Sequence, residues 1–202
     1  MAEIEPITLR LPSKYANGKV QDSEAHPPPP VDWLETSWSV THSTLSMWRS
    51  ARNVRISYAK MAPAGDGTTR IDDLVEYEPL DKTGVLKNVT GVDTQDPASG
   101  WNWRGKGWLF FVTSHWEVIG WGEAKTPDGT VEKWAVTWFA PTVFTKEGLD
   151  IYCDQRQGIS ESTLGKIMEG LKGLEASALV SMVEKDMRPV EIKLPWVESS
   201  KK

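Results

Sequence analysis

From Trp38 onward the chain alternates with a two-residue period, with Trp38, Val40 and His42 on one face of a first strand and Ser39, Thr41 and Ser43 on the other. The same period runs through residues 52 to 61, where Val54, Ile56 and Tyr58 share a face. It returns in Ile71, Asp73, Val75 and Tyr77 after Ala64-Gly65-Asp66-Gly67, whose glycines permit positive φ, so the two runs predict a hairpin. Leu86 to Val92 supplies a further strand, ended by Asp96-Pro97-Ala98-Ser99-Gly100. Trp101 to Glu123 is too rich in glycine and aromatics for a good helix and predicts two strands turning near Thr113-Ser114. A turn at Pro127-Asp128-Gly129 leads into Trp134, Val136 and Trp138, alternating with Ala135, Thr137 and Phe139, and Leu149 to Asp154 completes the series. About eight short strands with short connections predict an all-β, up-and-down antiparallel barrel.

The period then changes. Ser160 is placed as an N-cap, with Ile159 and Leu164 as a hydrophobic staple, and Leu164, Ile167, Met168, Leu171 and Leu174 recur at helical spacing. This predicts a C-terminal α-helix packed on the barrel wall, with Gly165, Gly170 and Gly173 permitting close approach. Residues 176 to 184 are either another helical turn or a docking strand. Residues 1–31 form a leader ending in four consecutive prolines, within which Ile7, Leu9 and Leu11 alternate like a strand that lies across a sheet edge or pocket mouth. Residues 32–188 are the barrel and helix. Residues 189–202 are a tail anchored by Trp196.

The length, 202 residues, fits one domain with a core that needs no covalent staple. A net charge of -5 gives no electrostatic footprint for nucleic acid. Cys153 is the only cysteine, so an internal disulfide is impossible, and the start has neither the basic nor the apolar stretch of a secretory signal; a cytoplasmic location is expected. No apolar run approaches the roughly 20 residues needed to span a bilayer as a helix. Arg104-Gly105-Lys106-Gly107 lacks the spacing of a phosphate loop, and three scattered histidines give no metal-ligand pattern, so neither metal nor cofactor is expected.

Tryptophan is the compositional outlier, with eleven residues. Tyr58, Tyr77, Trp103, Trp108, Trp116, Trp121 and Trp138 are candidates to line a pocket for an apolar ligand, core packing being the alternative for each. Candidate acids and bases are polar groups on otherwise apolar strand faces. His42 points inward by parity with Trp38, and Asp73 shares its face with Ile71, Val75 and Tyr77. His115 and Glu117 share a face with Ile119 and Trp121, and either form a proton-transfer pair or coat the outside.

Trp38 at the first strand, Arg156 after the last, and WAVTWFAPTVFTKEGLDIYCDQRQGIS leading into a helix resemble the lipocalins of the calycin superfamily over residues 33 to 174. The resemblance implies that Arg156 rests on the indole of Trp38 and closes the narrow end of the barrel. Thr36 stands where lipocalins have a glycine. STLSMW at 43–48, with Arg52-Asn53-Val54 following, is similar to intracellular fungal lipocalin-like proteins. The resemblance implies a lipophilic ligand such as a lipid, terpenoid, polyketide or pigment. It also admits a cofactor-free cyclase, isomerase or dehydratase of secondary metabolism that uses the cavity to hold a flexible substrate. Oligomeric state is left open by the sequence.

Overall fold

The structure is a computed structural model that describes residues 7–16 and 27–198. Eight strands form the barrel: β1 (Ser37–Ser43), β2 (Ala51–Lys60), β3 (Arg70–Pro79), β4 (Lys87–Gln95), β5 (Trp101–Gly105), β6 (Thr113–Lys125), β7 (Val131–Phe139) and β8 (Gly148–Cys153). Each pairs antiparallel with its sequence neighbour, and β1 pairs with both β2 and β8, so the sheet closes and no barrel edge is left open. The up-and-down barrel expected from the two-residue period is therefore present. The turn between β5 and β6 falls earlier than Thr113-Ser114. Gly107 takes φ 60°, residues Gly107–Leu109 form a tight helical turn, and Thr113 already belongs to β6.

Both faces of part of this sheet are covered, by different means. Inside, Trp38, Val40, Ile56, Tyr58, Ile71, Trp101, Trp116, Ala135 and Tyr152 form one buried cluster. Outside β6, β7 and β8, Trp134, Val136, Trp138, Leu149 and Ile151 form a second with the helices. Helix α1 (Val31–Leu34) packs Leu34 into the inner cluster, and its Leu34 carbonyl accepts a hydrogen bond from Trp38 Nε1 at 2.9 Å, closing the end of the barrel where β1 begins. Helix α2 (Glu161–Lys172) starts at Ser160, whose Oγ accepts from the Thr163 amide, and buries Ile167 and Leu171 against the outer wall. Residues 176 to 184 resolve as helix: α3 (Ser177–Asp186) adds Leu179 and Val183 to the same layer.

Residues 7–16 lie on this outer wall. Arg10 N–H donates to the Ile119 carbonyl at 2.8 Å, and Leu9 and Leu11 join the outer cluster. The chain after α3 adds a two-residue strand, β9 (Arg188–Pro189), beside β1 and then follows β2, where Asn53 at φ 51° exchanges hydrogen bonds with Lys193. Trp196 is buried with the guanidinium carbons of Arg55 and Arg156 each 4.8 Å from its ring. Among the described residues Trp196, and not Trp38, is thus the indole under Arg156. The cation over an indole at the closed end is Lys133, 5.5 Å from the ring of Trp33, which packs on Trp38 with ring centroids 4.9 Å apart. The exchange has a local cause: the tail returns past Arg156 and presents Glu198 to it at 2.7 Å.

Candidate functional site

Cross-strand register sorts the candidates by face, because directly opposed residues of an antiparallel pair point the same way. Trp38 opposes Ile56, Ile56 opposes Val75, and Tyr58 opposes Asp73, so Tyr58, Asp73, Val75 and Tyr77 face inward. Ile71 opposes Asp93, Asp93 opposes Trp103, and Trp101 opposes Trp116, which places Asp93, Trp103 and Trp116 on the inner wall too. Trp121 belongs to the inner cluster at the closed end, 4.8 Å from Trp33, with its Nε1 donating to the Pro27 carbonyl at 2.8 Å.

His42 does not point inward. A β-bulge between Val40 and His42 inserts an extra residue and reverses the parity, so His42 opposes Ile151 of the outer cluster and Ser43 opposes the inward Asp150. Half-buried, with Nδ1 3.3 Å from Thr41 Oγ1, its imidazole is pushed to lower pKa by burial. It cannot act on the barrel interior from there. Trp138 is also outside, packed in the outer cluster and donating to Glu147 at 2.7 Å. Trp108 is 75% exposed on the β5–β6 connection and lines no interior surface.

His115 and Glu117 come together outside the barrel, with Nε2 3.4 Å from Oε1. Glu117 is fully buried under residues 7–16. It pairs with Arg10 at 2.6 Å and accepts from the Ser13 amide at 2.9 Å and from Ser99 Oγ at 2.8 Å. Burial disfavours its charge, but hydrogen bonds from His115 and Ser13 and the Arg10 guanidinium outweigh burial and hold the carboxyl well below its ordinary pKa. A carboxylate so fully bonded is a clamp for the N-terminal segment rather than a base. His115 also reaches Asn102 Oδ1 at 3.0 Å, beside an open outer trough of about 760 Å³.

The interior holds polar groups that the candidates from sequence did not include. Asp93 accepts from Trp116 Nε1 at 2.7 Å, and the Trp116 ring stacks between Tyr58, 5.5 Å away, and Trp101, 6.1 Å away. Asp73 and Asp93 lie within hydrogen-bond reach of each other, diagonal across β3 and β4. Burial drives both carboxyls to higher pKa; the charge of Asp93 raises Asp73 further, whereas hydrogen bonds from Trp116 and Asp73 oppose the rise of Asp93. Asp150 is likewise raised, to about 7, by burial, with Ser43 and Trp48 opposing the rise. Among the described residues the buried atoms Asp73 Oδ1, Asp93 Oδ2, Asp150 Oδ1, Tyr152 OH and Trp48 Nε1 have no hydrogen-bond partner of ordinary geometry. Alternation alone would have found Asp150, two residues before Tyr152. Asp93 lies one residue past the expected end of its strand, on the face of Val89 and Gly91.

Among the described residues no cluster of three or more His, Cys, Asp or Glu side chains is arranged to hold a metal ion, and no helix is long and apolar enough to cross a membrane. No protein-family profile matches the chain. No curated protein matches its sequence. Solved structures do match in shape. Lobster apocrustacyanin A1 aligns with TM-score 0.53 at 9% identity, covering 96% of this chain and 94% of that one. Apocrustacyanin C1 aligns with TM-score 0.53 at 9% identity and C2 with 0.53 at 8%, each covering 95% of this chain and 94% of its own. The closed eight-stranded barrel with its C-terminal helix therefore has the lipocalin fold.

Proposed function

We propose that the barrel binds an apolar small molecule, admitted at the end opposite α1. The observation that carries this reading is a gradient along the inner wall. Trp38, Tyr58, Ile71, Trp116 and Tyr152 are buried toward the closed end, whereas Val75, Tyr77, Trp103 and Phe139, toward the other, are only half-buried. In this reading they form the wall of the binding cup. Its rim is apolar as well: Met47, Leu80, Val85, Trp108, Phe110, Phe111, Val143 and Phe144 are exposed, and all sit on the four connections at that end. A lipid, terpenoid, polyketide or pigment fits a wall of this composition. A cytoplasmic site of action belongs to the same reading, and fractionation of source cells checks it.

The test is mass spectrometry of an organic extract of the source after incubation with the protein, against a boiled control, joined to titration with the apolar fluorophore N-phenyl-1-naphthylamine. A compound retained unchanged, with fluorophore binding weakened at least threefold in Trp103→Ala, supports a carrier. No retained compound and no fluorophore binding overturns it. A cofactor-free cyclase or isomerase in the same cup is the alternative; Asp73 is the one sequence candidate for acid or base on the inner wall, and a new product in the extract is its signature.

A further inference from the structure

The buried carboxylates of this protein divide by face. On the outside three have a cation, Glu76 pairing with Arg55 at 3.0 Å, Glu78 with Arg52 at 3.1 Å and Glu117 with Arg10 at 2.6 Å, and the fourth, Glu132, accepts from the Ser160 amide at 3.0 Å and hydroxyl at 2.5 Å. On the inside, Asp73, Asp93 and Asp150 are as deeply buried, and among the described residues none has an ion-pair partner. Buried carboxylates are retained when paired. The interior of this barrel carries the acids without the bases.

We propose that Asp73 and Asp93 are the seat for the ammonium group of an apolar amine whose hydrophobic part fills the cup. The proposal rests on the barrel-binding reading above and specifies the polar end of its ligand. Along β3 the inward residues run Tyr77, Val75, Asp73, so Asp73 is the first buried group below the half-exposed wall. Among the described residues Asp73 Oδ1 and Asp93 Oδ2 both lack a hydrogen-bond donor of ordinary geometry. Beside them the Tyr152 hydroxyl, on a side chain 1% exposed, also has no partner of ordinary geometry among the described residues. Two carboxylates in contact need a donor between them. In the free protein a single shared proton fills that place, and an ammonium, with three N–H groups, can replace it. The proton leaves to water as the ammonium enters, so the net charge buried at the site does not change. The parallel rings of Tyr58, Trp116 and Trp101 offer aromatic faces next to the pair, which favour a cation over a neutral head group. Asp150 is the weaker seat, because Ser43, Trp48 and the charge of Arg49 already act on it.

Calorimetric titration of the full chain with 2-phenylethylamine, 2-phenylethanol and 3-phenylpropionate tests the seat with one apolar body and three head groups. The amine should bind at least tenfold tighter than the alcohol, with the carboxylate weakest. Asp73→Asn and Asp93→Asn should remove that preference and leave alcohol binding within about threefold. Asp72→Asn, on the outer face of β3 where Asp72 pairs with Lys106, should retain it. Equal binding of amine and alcohol to the unmodified protein overturns the ammonium seat and leaves the container reading intact, a result that needs no variant to fold. A preference that persists in both folded Asn variants overturns the assignment to this pair. Failure of all three probes and of N-phenyl-1-naphthylamine overturns the container reading itself.

Discussion

A terminal methyl of Leu9 fills the space in which a side chain on Gly120 would begin, so the N-terminal segment is seated on β6 by the absence of a Cβ. Gly170 of α2 meets the same leucine from the other side, with its Cβ position 3.1 Å from Leu9 Cδ1. Leu9 is therefore held between sheet and helix at two glycines. Gly120→Ala should destabilise the protein by about 1–3 kcal/mol through overpacking. Leu9→Ala in the same chain should recover part of that loss, since the two residues are in direct contact and their effects are not additive. Urea denaturation of the two single variants and the double variant measures the coupling; strictly additive losses would contradict the contact.

Inside the barrel, the bond from Trp116 Nε1 to Asp93 is the one ordinary hydrogen bond that the Asp73–Asp93 pair receives from a neighbouring side chain among the described residues. Trp116→Phe keeps a ring in the stack and removes the donor. The expected cost is about 1–3 kcal/mol, the penalty of leaving a buried acceptor unpaired. A midpoint of urea unfolding unchanged from the parent would show that Asp93 does not depend on Trp116.

The strands were legible because a half-buried sheet repeats every two residues, and the helix because Ser160 and the Leu164 to Leu171 spacing announce it. Facing was less legible. On β7, Trp134, Val136 and Trp138 look like the inner face, yet they lie under α2 and α3, while Ala135, Thr137 and Phe139 face the barrel. Where helices cover the outer wall both faces are apolar, and hydrophobicity no longer separates inside from outside. His42 departs from strand parity for another reason: the bulge after Val40 carries no glycine that would mark it. The partners of Glu117 and Trp196 come from segments 107 and 141 residues away, Arg10 and Arg55, and no local pattern encodes such contacts.

Trp196 lies between two arginines of unequal burial, and the inequality gives a test of how the tail is held. Arg55 is buried and bonds the Val197 carbonyl at 2.8 Å, whereas the Arg156 side chain is 59% exposed. Trp196→Ala should cost about 3–5 kcal/mol, as for a buried aromatic. Arg156→Ala should cost less than about 1 kcal/mol, since exposed cation–π and ion-pair contacts are weak. If Arg156→Ala instead shifted the fluorescence of Trp38 and cost as much as the Trp196 substitution, Arg156 would have to act at the closed end of the barrel.

The three inner carboxyls set an unusual direction for the pH dependence of stability. Burial raises Asp73, Asp93 and Asp150 above an unfolded value near 3.9, Asp150 to about 7, so between those limits the folded protein holds protons that the unfolded chain releases. Their stabilisation is complete below about pH 4 and is lost as pH rises, toward about 7 for Asp93 and Asp150, at no more than about 1.4 kcal/mol per pH unit for each group. His42 opposes this: its lowered pKa makes the unfolded chain the better proton binder below about pH 6.5, so its contribution falls as pH falls. Glu117, held low, acts in the same sense as His42, but its contribution is lost only as pH falls below about 4.3. Three acids against one histidine leave a net decline, and the urea midpoint should be higher at pH 5 than at pH 7.5. Asp150→Asn, which removes one of the three titrations, should flatten the decline between those two values. A midpoint that rose from pH 5 to pH 7.5 would mean that the inner carboxyls are ionised and solvated in the folded protein, and the amine seat would then have to bind its ligand against bulk water.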